Sequence, residues 1–218
     1  MALIRALFAA LALLAGATAA FAQHGAQPMH QSFGDAERWS KVFDDPARDA
    51  WQKPDEVVRA LQLAPDAAVA DIGSGTGYFA VRLARAAPRG QVLGADIEPD
   101  MVRFLNERAA REKLGNLKSI LARADGPNLP APVDLVLIVD TYHHLAQRSR
   151  YFADLKRSLK PGGRVAVIDF RPDSPVGPPP HHRIAHEQVT REMERAGYRL
   201  AAEHGFLPNQ YFLVFAPR

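Results

Sequence analysis

The sequence predicts an α/β chain: a doubly wound, mostly parallel seven-stranded sheet with helices on both faces. Three observations carry that prediction. From about residue 54 to residue 170, short apolar runs alternate with longer helical stretches, the pattern of successive strand–helix units. The first apolar run, 69–72, passes an acid, Asp71, straight into a loop with glycines at Gly73, Gly75 and Gly77. That is a strand turning tightly into a helix, with backbone exposed where a ligand can lie against it. Two further runs, 198–203 and 210–215, read as a closing hairpin.

In chain order, residues 1–22 differ from the rest. A short positive start at Arg5 precedes an apolar stretch rich in Ala and Leu, and Ala20-Phe21-Ala22 fits an A-x-A cleavage site. A cleaved secretory signal is expected, with a periplasmic or secreted chain and no stable membrane insertion after cleavage. An uncleaved signal acting as an anchor is the alternative, although an apolar stretch of about 17 residues is short for a span. Residues 23–53 read as an N-terminal flexible or lid segment: 23–34 is polar and expected to be unstructured, while 35–52 carries Trp39, Phe43 and Trp51 on a short helix and turn. The domain proper, 54–218, opens on a helix over 54–63 that starts at Pro54. Strands are predicted at 67–72, 91–96, 117–122, 133–139 and 164–169, and helices at 76–87, 99–114 and 147–160. Residues 171–180 hold five prolines and cannot be helix. A last helix is predicted from His181 or Arg183 to Ala196, stopped by Gly197.

The glycine spacing separates ligand classes. It is G-x-G-x-G, whereas the dinucleotide fingerprint is G-x-G-x-x-G, and the loop lacks the Lys-Ser/Thr ending of a P-loop. A second strand ends in Asp96, 23 residues after Gly73, near the spacing at which a carboxylate takes a ribose diol. Downstream come Ala124-Asp125-Gly-Pro-Asn-Leu-Pro130, then a strand ending at Asp140 followed by Thr-Tyr142-His143-His144-Leu, then Leu159-Lys-Pro-Gly-Gly leading into a fifth strand.

These five ordered segments resemble the class I (Rossmann-like) S-adenosylmethionine-dependent methyltransferases over roughly residues 54–170. The resemblance implies S-adenosyl-L-methionine as cofactor and a last strand that is antiparallel. It places Asp71, Gly73, Ser74, Gly75 and Gly77 against the methionine part and Asp96 with Ile97 at the ribose. It puts Asp125 at the adenine amino group, and Asp140 at the cofactor's edge. Ala124 and Gly126 depart from the family's Gly-Asp-Ala pattern. The broad group that includes quinone-ring C-methyltransferases is the most similar.

Methyl transfer from a sulfonium is an in-line displacement, so positioning dominates; a base is needed only where the acceptor must lose a proton. Asp140, Tyr142, His143 and His144 sit where such a group belongs, at the carboxyl ends of the fourth and fifth strands, and a histidine titrates in the useful range. Asp169, Arg171, His181 and His182 flank the proline segment, which is expected to fold over the substrate mouth.

Composition bounds the acceptor. A net charge of +3, with 27 basic and 24 acidic residues, and no basic block interleaved with aromatics argue against nucleic acid. The 218 residues contain no cysteine, which excludes disulfides and arsenite methylation of the kind that holds arsenic on thiolates. No metal is expected. The expected partner is a small-molecule or lipid-like acceptor; oligomeric state is not legible. The rival is an exported, non-catalytic nucleoside-binding protein that kept the fold.

Overall fold

The structure, a computed structural model, describes residues 33–218. The predicted signal at 1–22 and the polar stretch up to residue 32 lie outside the described residues. Among the described residues no helix is long and apolar enough to cross a membrane.

Among them, seven strands form one sheet: β1 (Ala68–Ile72), β2 (Gln91–Asp96), β3 (Leu117–Leu121), β4 (Val133–Val139), β5 (Leu159–Phe170), β6 (Tyr198–His204) and β7 (Gln210–Pro217). Their order is β3-β2-β1-β4-β5-β7-β6. The first five are parallel, and β7 runs antiparallel between β5 and β6. A parallel strand covered on both faces reads as an almost continuous apolar run, and β4, Val-Asp-Leu-Val-Leu-Ile-Val, does. The order reverses between β1 and β4, which opens a crevice at their carboxyl ends.

The helices are α1 (Ala36–Phe43), α2 (Asp49–Gln52), α3 (Pro54–Ala60), α4 (Ala80–Ala86), α5 (Pro99–Arg111), α6 (Arg148–Leu155) and α7 (His186–Arg195). Because side chains alternate across a strand, the sheet builds two cores. Val57, Leu83 and Leu105 pack on Val69, Leu135 and Phe212 on one face. Phe152, Val189 and Met193 pack on Ile138, Val167 and Leu213 on the other.

Several boundaries move from their predicted places, each for a local reason. The helix expected from residue 76 starts at Ala80, because Gly75 and Gly77 sit at φ +52° and +96°, outside the right-handed helical region. The helix expected to reach 114 ends at Arg111, where Lys113 turns to φ +56°. The one expected over 147–160 covers Arg148–Leu155, and its tail becomes a 3₁₀ turn at Lys156–Ser158. β5 starts at Leu159 rather than 164, because Leu159 pairs with Val133 across a register shift. The last helix starts at His186 and not at His181 or Arg183. Arg183 is extended, and its guanidinium donates to the carbonyls of Pro178 (2.8 Å) and Pro172 (3.1 Å), winding the proline segment around itself.

The N-terminal segment is helical from Ala36 and tied down. The Ala36 amide donates to Asp100 (2.7 Å), Asp44 pairs with Arg108 (2.8 Å), and Phe33, Trp39 and Phe43 pack beside Met101 and Phe104 of α5. It thereby lies beside the carboxyl-end crevice.

Candidate active site

The glycine loop is shaped by what crowds it. Gly73, at φ +72°, donates to the Ala95 carbonyl at 2.8 Å, and a Cβ there would overlap the Thr141 side chain. Gly77 is pressed in the same way against Leu105, whereas a Cβ on Gly75 would meet only the Phe43 ring, at 3.4 Å. The Gly75 amide donates to Asp96 Oδ2 at 2.8 Å and the Glu98 amide to Asp96 Oδ1 at 3.0 Å, so the second-strand acid faces the loop as its spacing implied. Ser74 Oγ and Thr76 Oγ1 are buried with no hydrogen-bond partner among the described residues.

Two carboxylates share this low-dielectric corner. Burial, reinforced by the charge of Asp96, pushes Asp71 up to about 7 against the pull of Arg48. Burial also raises Asp96, opposed by the Glu98 and Gly75 amides. Ile97 stands on the rim, 59 % exposed. Asp125 is not brought in with them: its side chain is 74 % exposed and ion-paired to Arg123 at 3.0 Å.

Across the crevice, Asp140 follows β4 at φ +53°. It belongs to a closed ring of four side chains. Arg48 Nη2 lies 3.0 Å from Asp140 Oδ2 and donates to Gln52 Oε1 at 3.1 Å. Gln52 donates to Gln210 Oε1 at 2.6 Å, and Gln210 donates back to Asp140 Oδ1. The Arg48 guanidinium also lies 4.2 Å from the Tyr78 ring centroid. Burial lifts Asp140 to about 7, with Arg48 pulling the other way.

The turn Tyr142–His144 splits the remaining candidates. Tyr142, expected among the catalytic candidates, points into the core. It is fully buried, stacks on Phe152, and its hydroxyl donates to Glu192 Oε2 at 2.7 Å, so it anchors α7. His143 turns the other way: its Nδ1 lies 2.9 Å from Asp169 Oδ2, and the two side chains are 4 % and 2 % exposed. Burial drags the imidazole down, but the Asp169 hydrogen bond and charge, with Asp140 behind, outweigh it and hold it above its ordinary value. The His144 ring lies 4.1 Å from that of His143 and edge-on to Phe33.

Near the same mouth, Trp51 packs on Phe170 with ring centroids 5.7 Å apart. Arg171 turns aside to the carbonyls of Leu207, Pro208 and Gln210. The His181 and His182 rings lie 4.2 Å apart, tilted to each other, in the 3₁₀ turn Pro180–His182, and His186 pairs with Glu187 at 2.8 Å.

Sequence reasoning missed Arg48, Thr76, Gln210 and Tyr211. Arg48 is one of 27 basic residues with no local pattern around it. Gln210 and Tyr211 sit in a strand whose alternation does not say which end reaches the crevice.

A methyltransferase-domain family model matches residues 69–163. The demethylmenaquinone methyltransferase of Thermus thermophilus is 34 % identical over 116 residues, 52 % of this chain and 51 % of that protein. A ubiquinone/menaquinone biosynthesis C-methyltransferase of a Marinomonas species is 35 % identical over 112 residues, 49 % of this chain and 44 % of that protein. The crystal structure of a SAM-dependent methyltransferase from Aquifex aeolicus matches with a TM-score of 0.76 at 25 % identity, covering 83 % of this chain and 97 % of that one. Residues 69–163 thus match a methyltransferase domain, and the chain is similar in sequence and fold to S-adenosylmethionine-dependent methyltransferases.

The cofactor of this methyltransferase family is S-adenosylmethionine, and the residues fit it. Each Asp96 oxygen accepts one backbone amide and keeps a lone pair for a ribose hydroxyl. The buried, unpartnered hydroxyls of Ser74 and Thr76 lie in the loop itself, and Arg48 with Asp140 offers one charge of each sign to an amino-acid head group. The chain spans about half the length of the curated relatives it matches. Arg48, Asp169 and Gln210 fall outside the family-model match.

Proposed function

We propose that this methyltransferase moves the methyl group of S-adenosylmethionine to a small or lipid-like acceptor. The observation that carries the proposal is the convergence at one crevice of a glycine loop faced by Asp96 and a buried His143–Asp169 pair.

The cofactor supplies an electrophilic methyl on a sulfonium; the chain supplies position. Asp71 and residues 73–77 hold the methionine part, Asp96 with Ile97 takes the ribose, and Asp125 reaches the adenine once freed from Arg123. Arg48 and Asp140 exchange each other for the cofactor's carboxylate and ammonium. His143 takes a proton from the acceptor where one must leave. The similarity to quinone-ring C-methyltransferases and the aromatic groups Trp51–Phe170 and Phe33–Trp39–Phe43 support an apolar, ring-bearing acceptor. Residues 1–22 supply an export signal in this reading, and the site then works in the periplasm or outside the cell.

The test is calorimetry with S-adenosylhomocysteine, followed by transfer of labelled methyl from S-adenosylmethionine to a 1,4-naphthoquinol. Micromolar binding with incorporation is expected. Absence of binding sinks the proposal. Binding without transfer to any ring acceptor favours the non-catalytic binding protein, to which the Phe43 ring over Gly75 lends support.

A further inference from the structure

We propose that Asp169 is a positioning residue: it fixes His143 in the tautomer protonated on Nδ1 and leaves Nε2 as the proton acceptor for an O–H or C–H of the methyl acceptor. The catalytic half of this statement rests on the methyltransferase reading; the geometric half does not.

Asp169 lies one residue before the end of β5, deep in the sheet. It accepts from the Phe170 amide at 2.8 Å, the His143 amide at 3.2 Å and His143 Nδ1 at 2.9 Å. A carboxylate only accepts, so the proton between ring and acid sits on Nδ1 and the free lone pair is on Nε2. Among the described residues the ring's hydrogen bonds are made by Nδ1. The His143 backbone amide bonds the same carboxylate, which fixes ring and turn together rather than the ring alone. In the antiparallel register Asp169 stands opposite Tyr211, whose buried hydroxyl has no partner among the described residues. Beside the ring the fold therefore leaves one buried polar atom, the Tyr211 hydroxyl, unused, contrary to the usual satisfaction of buried polar groups.

The titratable and charged groups around the ring come from several elements. Asp169 on β5 and Asp140 after β4 favour the imidazolium, Arg148 of α6 opposes it, and His144 packs against its face; Tyr211 on β7 is held as the neutral phenol by burial and by Asp169. The step then balances. The acceptor's proton passes to Nε2 and gives an imidazolium paired with Asp169. The freed electron pair on oxygen or carbon forms the bond to the methyl as the carbon–sulfur bond breaks, its electrons going to sulfur. An acceptor with a weakly acidic hydroxyl or an activated ring carbon needs this arrangement; a neutral amine does not.

Nitrogen-15 spectra of the histidine rings, recorded through a pH titration of the unliganded protein and assigned with His143→Gln, decide the matter. The expected result is an Nδ1–H ring at His143 whose titration midpoint lies above the ordinary histidine value and falls by about one pH unit in Asp169→Asn. An Nε2–H ring in the wild type, or a midpoint unmoved by Asp169→Asn, overturns the proposal. The wild-type tautomer decides by itself should that variant fail to fold. Because no cofactor is present, failure here is distinct from failure to bind S-adenosylhomocysteine, which would instead remove the methyltransferase reading.

Discussion

At Gly77 the backbone occupies φ +96° and any Cβ would run into Leu105. Gly77→Ala therefore combines a left-handed penalty with overpacking, and is expected to lose about 2–4 kcal/mol in urea unfolding; Gly115→Ala, with open space around it, is the control and should stay within about 0.5 kcal/mol. Asp96→Asn keeps one acceptor oxygen but loses the charge, so affinity for S-adenosylhomocysteine is expected to fall roughly ten- to a hundredfold, read by calorimetry. Undiminished affinity would remove Asp96 from the site. Asp96 was legible because strand spacing puts a chain position at a sheet end. Direction was not legible in the same way. Asp125 faces Arg123 and solvent, and Tyr142, two residues after Asp140, turns inward to Glu192.

Among the elements, the N-terminal helices depend most on a single side chain. Arg48 reaches Asp140, Gln52 and the Phe43 carbonyl from the turn before α2. Arg48→Met keeps the aliphatic stem but leaves Asp140 without its cation and opens the four-membered ring. Amide exchange in residues 36–52 is expected to accelerate at least tenfold, while β4 and β5 keep their protection. Equal exchange in variant and wild type would show that the aromatic packing of α1 suffices. That these residues form a short helix and turn was readable from their aromatic spacing. Their anchoring was not, since it rests on partners 92 residues away for Arg48 and 158 for Gln52. The proline segment repeats the lesson: its composition forbids a helix, but only Arg183 bonding back to Pro172 and Pro178 delays α7 to His186.

For the whole molecule, the buried acids set a pH dependence of stability. The folded pKa of Asp71, about 7, lies above its unfolded value near 3.8. The fold therefore binds the extra proton between those values, and the stability this confers is full below about pH 4 and lost as pH rises through about 7. Asp71→Asn is expected to lose less stability than the wild type between pH 5 and pH 8, measured as the shift in urea midpoint. An equal loss in both would place the proton elsewhere. The sequence alone determined the sheet's composition and its glycine loop, because apolar periodicity and φ-permissive residues act over a few neighbours in the chain. It also determined that acids stand at the ends of the first, second and fourth strands. Only the tertiary structure decided which of those acids meet: the order reversal between β1 and β4 brings Asp71 and Asp96 to one side of the crevice and Asp140 to the other, and the antiparallel β7 delivers Gln210 and Tyr211 to the same rim. The pairing of His143 with Asp169 belongs to that second class. It joins residues 26 apart through neighbouring strands, and no local pattern of the chain encodes which face either side chain takes.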